Sequence, residues 1–123
     1  MSLFGNIFKE KETTSSNFNW IALTNEQQLD EILDHSNKKN QVIFKHSTRC
    51  GISSMVIKQF ENKFNTIENT DFYYLDLLQF RNLSNVIALK FDVPHQSPQL
   101  IVIQNKKVIA EASHHSILSV KLN

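Results

Sequence analysis

Short apolar runs rich in β-branched and aromatic residues alternate along this chain with segments of helical period, and that alternation constrains the fold more than any other feature. "WIALT" (residues 20–24) reads as a short strand. "TNEQQLDEILDHS" follows, with Leu29, Ile32 and Leu33 on one helical face and Thr24 and Gln27 spaced as a capping box. "QVIFKH" (41–46) suits a strand buried on both faces. From Gly51, the residues Ile52, Met55, Val56, Phe60 and Phe64 recur at helical spacing, which assigns Met55 and the phenylalanines to the core. "DFYYLDLL" (71–78) is strand-like again, and "RNLSNVIALKFD" (81–92) sets Leu83, Val86, Ile87 and Phe91 on a helical face. After the proline-broken "VPHQSP", the stretch 99–113 reads as two strands around an Asn105-Lys106 hairpin turn. "HHSILSVKL" closes with a short helix capped by Ser113.

The element order is therefore β-α-β-α-β-α-β-β-α. Early alternation implies parallel strands with crossover helices, and the final hairpin adds antiparallel ones. That is an α/β, thioredoxin-like layout, a central mixed β-sheet flanked by helices. Pro and Gly number only two each in 123 residues, so no linker divides the chain. One domain over residues 19–123 is expected, behind a flexible N-terminal tail over residues 1–18. Net charge is +1, without a basic stripe, so no nucleic acid partner is expected. No apolar run approaches the roughly 18 residues that span a membrane, and the start lacks the pattern of a signal peptide. These features predict a cytoplasmic monomer without a membrane partner.

The chain holds a single cysteine, Cys50, which excludes an internal disulfide and any cysteine-based zinc signature. In the predicted layout it sits where a parallel strand hands over to a helix, the edge at which open α/β sheets place their ligand sites. Unpaired N–H groups and the dipole at the helix start favour a thiolate over a thiol. Arg49 adds a cation beside it, and His46 adds another when protonated. Ser53 lies one turn further on the same face, where thioredoxin-fold dithiols carry their resolving cysteine. A hydroxyl can hydrogen-bond a thiolate but cannot attack a mixed disulfide, so a redox site here is monothiol and needs an outside thiol. An inert loop cysteine is the competing reading. Ser97-Pro98 stands just before the strand "QLIVI", where thioredoxin-like folds hold a cis-proline beside the sulfur; a trans proline ending a loop is the alternative. His46 and His95 flank the two motifs. His114-His115 lack an acidic or cysteine neighbourhood, and no metal site is expected. Asp76 reads either as a buried acid near the site or as a strand-end residue.

"FKHSTRCGIS", "LSNVIALKFDV", "HQSPQLIVIQNKKV" and "ASHHSI" together resemble the monothiol bacilliredoxins of the YtxJ type, over about Trp20 to Ile117. The resemblance implies Cys50 as nucleophile and Pro98 as the cis-proline; with the reading of the junction, Ser53 is expected beside the nucleophile and Arg49, Gly51, His46, Ser97 and Pro98 as the substrate-binding set. It implies no tightly bound cofactor, with bacillithiol as co-substrate. The implied partners are S-thiolated client proteins and a low-molecular-weight thiol, and the implied reaction removes bacillithiol from protein mixed disulfides. That family usually carries Pro after the cysteine, whereas this chain has Gly51. The resulting C-G-I-S is similar to the C-G-F-S of monothiol glutaredoxins, which bind glutathione and share a 2Fe–2S cluster between protomers. Their glutathione-gripping Gly-Gly turn is absent from "EASHHSI". The alternatives from another class are a cluster-binding module and a non-catalytic protein-binding one.

Overall fold

The computed structural model describes residues 18–122, so the tail expected over residues 1–18 lies outside the described residues except for Phe18. The elements are β1 (Trp20–Ala22), α1 (Gln27–His35), β2 (Asn40–His46), α2 (Gly51–Phe64), β3 (Thr70–Asp76), α3 (Arg81–Lys90), β4 (Gln99–Gln104), β5 (Lys107–Ser113) and a closing 3₁₀ helix (His114–Ser119). The described strands form one sheet in the order β1-β3-β2-β4-β5. β1 and β2 run parallel to β3, while β4 is antiparallel to both β2 and β5. This mixed sheet with its crossover helices is the thioredoxin-like layout the pattern predicts.

β2 occupies the middle because its sequence tolerates burial on both faces, and Gln41 to His46 are all buried. Alternation along β2 sorts its side chains between two cores. Val42 and Phe44 join Val56, Phe60, Phe64 and Phe72 under α2. Ile43 joins Leu29, Ile32, Leu75, Leu83 and Ile87 under α1 and α3. The α2 core is aromatic: Phe60 lies 5.5 Å from Phe44 and 4.7 Å from Phe64 between ring centroids. Phe18 packs edge-on against Phe72 at 4.8 Å. Fully burying one such side chain contributes about 1.5–3 kcal/mol.

The β4–β5 hairpin turns at Asn105 and Lys106 with φ of 52° and 65°, the paired left-handed conformation of a type I′ turn. Ser36 at the end of α1 grips that turn. Its carbonyl accepts from Asn105 N–H at 2.7 Å and its hydroxyl from Lys106 N–H at 2.8 Å.

Three local expectations are corrected. The buried stripe of α2 is Ser53, Val56, Ile57, Phe60 and Phe64, whereas Ile52 and Met55 are 44% and 46% exposed. The stripe runs one position out of phase with the apolar residues at the helix start, so Ser53 takes a core position and Met55 does not. The capping pair of α1 is offset by one residue: Gln28 N–H donates to Asn25 Oδ1 at 3.1 Å, and Asn25 N–H donates to Gln28 Oε1 at 3.2 Å. The last helix is 3₁₀, and Ser113 precedes it without a side-chain cap bond. His114 enters it at φ 55°, a left-handed conformation that turns the chain sharply out of β5.

Candidate functional site

The end of β2 and the start of α2 are joined by a tight turn in which Cys50 N–H donates to the Ser47 carbonyl at 3.1 Å. Cys50 is the N-cap residue of α2, extended at φ −100° and ψ 121°. Its carbonyl accepts the first helical bond, from Ser54 N–H at 3.0 Å. The thiol is therefore placed at the helix entrance, where backbone N–H groups have no helical partner. Cys50 is half-buried, and Arg49 and Gly51 on either side are exposed. A Cβ built on Gly51 would meet nothing within 4 Å, so no steric demand keeps that position glycine.

Ser53, fully buried one turn on, directs its hydroxyl back to the strand. Its Oγ accepts from Ser47 N–H at 3.2 Å and lies 2.6 Å from His46 Nδ1. The hydroxyl accepts from Ser47 and shares a second hydrogen bond with Nδ1, whose direction follows the His46 tautomer. The hydroxyl thus ties the turn to the strand end; its described partners are His46 and Ser47, whereas the sequence suggested the thiolate. Burial pushes the His46 pKa below its ordinary value, opposed by the charge of Asp76, its cross-strand partner. The second cation expected from His46 is consequently a neutral imidazole at pH 7. Asp76 is a strand-end residue: it is half-buried and its Oδ1 accepts Leu78 N–H at 3.1 Å in the turn that follows β3.

On the opposite face of β2, Lys45 is fully buried. Its Nζ donates to the Ser84 carbonyl of α3 at 3.4 Å and lies 3.4 Å from His95 Nδ1. Ser84 Oγ is 3.0 Å from the same Nδ1. Burial alone lowers the Lys45 pKa to about 8. His95 is also lowered, by burial first and then by the charges of Lys45 and Arg81.

Ser97-Pro98 stands directly before β4, and the bond between them is cis. Pairing of Gln99 with Lys45 brings this segment to the same sheet edge as Cys50. The buried Gln99 side chain spans the loop: its Nε2 donates to the Pro94 carbonyl at 3.0 Å, and its Oε1 accepts Gln96 N–H at 3.4 Å. The Pro98 carbonyl accepts His114 N–H at 3.0 Å. The Ser97 hydroxyl is buried without a hydrogen-bond partner among the described residues, an unused donor and acceptor at this edge.

Chain topology thus brings Cys50, Arg49, Gly51, Ser53 and His46 together at the β2–α2 junction, and sets Ser97 and Pro98 in the loop just before the neighbouring strand β4. Lys45, Ser84 and Gln99 escaped the sequence reading. A signal was present: a strand buried on both faces must also bury any lysine within it, and such a lysine needs partners.

A family model described as "Monothiol bacilliredoxin BrxC" matches residues 21–122. A solved structure described provisionally as an oxidoreductase with a thioredoxin fold is 35% identical, with a TM-score of 0.70, covering 80% of this chain and 87% of that one. Thioredoxin from Trypanosoma brucei brucei has a TM-score of 0.67 at 12% identity, covering 86% of this chain and 88% of that one. Thioredoxin NaTrxh from Nicotiana alata has a TM-score of 0.67 at 17% identity, covering 85% and 88%. At such identities the two thioredoxins speak to the fold alone.

Proposed function

This chain belongs to the monothiol bacilliredoxin family, whose chemistry is thiol redox, and from that premise we propose that it removes bacillithiol from mixed disulfides on proteins through Cys50. The observation that carries this reading is the placement of the lone thiol at the entrance of α2, with the position one turn on occupied by a hydroxyl engaged elsewhere.

Cys50 Sγ, as thiolate, attacks the bacillithiol sulfur of the client's mixed disulfide. The Cys50–bacillithiol disulfide forms, the old disulfide breaks, and the client departs as a thiolate that takes up a proton. A second thiol then attacks the bacillithiol sulfur, forming a low-molecular-weight disulfide and returning the Cys50 thiolate. Cys50 undergoes no net oxidation. The structural residues divide the labour: Ser47 and Ser53 hold the turn, Arg49 offers a cation at the rim, and Ser97, in the loop before β4, offers a hydroxyl without a partner among the described residues. No protein-bound cofactor takes part, the co-substrate being bacillithiol itself, and the reading places the reaction in a reducing cytoplasm.

Mass spectrometry after incubation with oxidised bacillithiol tests it. A single bacillithiol adduct on Cys50, discharged by added thiol and absent from Cys50→Ser, is expected. Client release that persists in Cys50→Ser, or a wild-type protein that never acquires the adduct, overturns the reading.

A further inference from the structure

Lys45 stands out among the buried side chains because nothing in a purely structural sheet calls for an ammonium there. It is fully buried in the central strand, and the hydrogen-bond partners described for its Nζ include no carboxylate. Its strand neighbours at that register are Leu75 and Gln99, both uncharged. The core on the α1 and α3 side holds Leu29, Ile32, Leu83 and Ile87, and its one titratable member, Tyr73, is kept protonated by burial, which raises its pKa. The charged or titratable groups acting on the pair of Lys45 and His95 are Arg81 at the start of α3 and the two residues themselves.

We propose that Lys45 and His95 are a positioning pair that holds the loop carrying Ser97-Pro98 against α3, so that this loop meets an incoming mixed disulfide already ordered. The role in substrate capture rests on the thiol-exchange reading above; the anchoring of the loop does not. An ammonium has no lone pair, so between Nζ and Nδ1 it must be the donor, which places the His95 proton on Nε2. Ser84 completes the anchor from α3, its carbonyl accepting from Nζ and its hydroxyl reaching the same Nδ1. Gln99 braces the loop from beneath with neutral bonds to Pro94 and Gln96. The Lys45 contact, at 3.4 Å, is the one that carries a charge. It is also the one that titrates: burial leaves Lys45 charged up to about pH 8, above which the donor weakens and the His95 tautomer is no longer imposed.

Two readouts test the pair. In nitrogen-detected NMR of the wild-type protein, the His95 ring nitrogens and the Ser97 amide should move together with a midpoint near pH 8. Lys45→Met should abolish that step, whereas His95→Asn, which keeps an acceptor at the Nδ1 position, should preserve it at Ser97. In exchange assays with a bacillithiol-modified peptide, Lys45→Met and His95→Leu should raise KM about tenfold, the cost of ordering roughly one backbone residue on binding. His95→Asn should restore most of that loss, and alkylation of Cys50 by iodoacetamide should stay within about twofold in all variants, since a small reagent does not use the loop. Unlinked titrations of Lys45 and Ser97, or a KM unchanged in Lys45→Met, would overturn the proposal. A wild-type protein without any exchange activity would sink the thiol-exchange reading instead, leaving the NMR titration to decide the anchor.

Discussion

Lys45 and His46 are consecutive residues of one strand, both buried, and they serve the two sides of the site in opposite ways. His46 faces α2 and closes a neutral network with Ser53 and Ser47 around the nucleophile's turn. Lys45 faces α3 and reaches, as a cation, toward the loop of Ser97-Pro98. Strand alternation makes this division automatic, since neighbours on a strand must point to opposite faces. Burial lowers both pKa values, with different results at pH 7: it discharges the imidazole and leaves the ammonium charged. The nucleophile's side is thereby built from bonds that carry no desolvation cost of charge, and the loop's side from one that does.

The largest expected effect comes from removing that charge. In the unfolded chain Lys45 keeps its proton to about pH 10.5, so the unfolded state binds more protons than the native one between pH 8 and 10.5. Burial of Lys45 therefore destabilises the fold progressively as pH falls from 10.5 to about 8, and the full penalty holds at every pH below that. At about 1.36 kcal/mol per pK unit, the shift from 10.5 to about 8 costs the fold up to roughly 3 kcal/mol at pH 7. Lys45→Met should accordingly be more stable than wild type in urea melts at pH 7, with the gap narrowing toward pH 10. A Lys45→Met protein less stable than wild type at pH 7 would erase the contrast between the two faces.

Ser53→Ala probes the other side and should act in the opposite direction. It strips the partner from His46 Nδ1 and from Ser47 N–H in a fully buried position, costing about 1–3 kcal/mol at pH 7 by the same melts. Exchange should weaken without being abolished, because the thiol itself remains. A neutral Ser53→Ala would mean that the turn is held by the Cys50–Ser47 backbone bond alone.

The smallest effect belongs to Gly51. Cys50 already has the extended conformation that a following proline requires, and the space around Gly51 is open. Gly51→Pro should therefore raise stability by about 0.4–1 kcal/mol through the unfolded state, with the Cys50 adduct in mass spectrometry unchanged. A loss of stability would reveal a bond from the Gly51 N–H that the turn depends on.

Element order, the mixed sheet and the junction position of Cys50 were all legible in the sequence, because each rests on periodicity or on turn chemistry within a few residues. The Asn105-Lys106 turn belongs to the same class. What was not legible depends on how elements meet. Met55 matches the apolar spacing of α2 but lies outside its buried stripe, and only the docking of α2 on β2 shows that Ser53 takes the inward place. The neutrality of His46 follows from its depth, which overrides the opposing charge of Asp76 across the sheet. Lys45 was half legible: its burial follows from "QVIFKH", but its partners Ser84 and His95 come from elements far along the chain, which no local pattern connects.

The chain's one tryptophan, Trp20, lies on the α2 side, 5.7 Å from the Phe44 ring and 5.8 Å from that of Tyr74, whose own ring is 5.4 Å from His46. Its indole N–H donates to Glu61 of α2 at 2.6 Å. The protein thus carries an intrinsic fluorophore mounted on one half of its core. Emission should follow events around the thiol's face and stay nearly silent to those around Lys45, giving an optical signal that separates the two without any label.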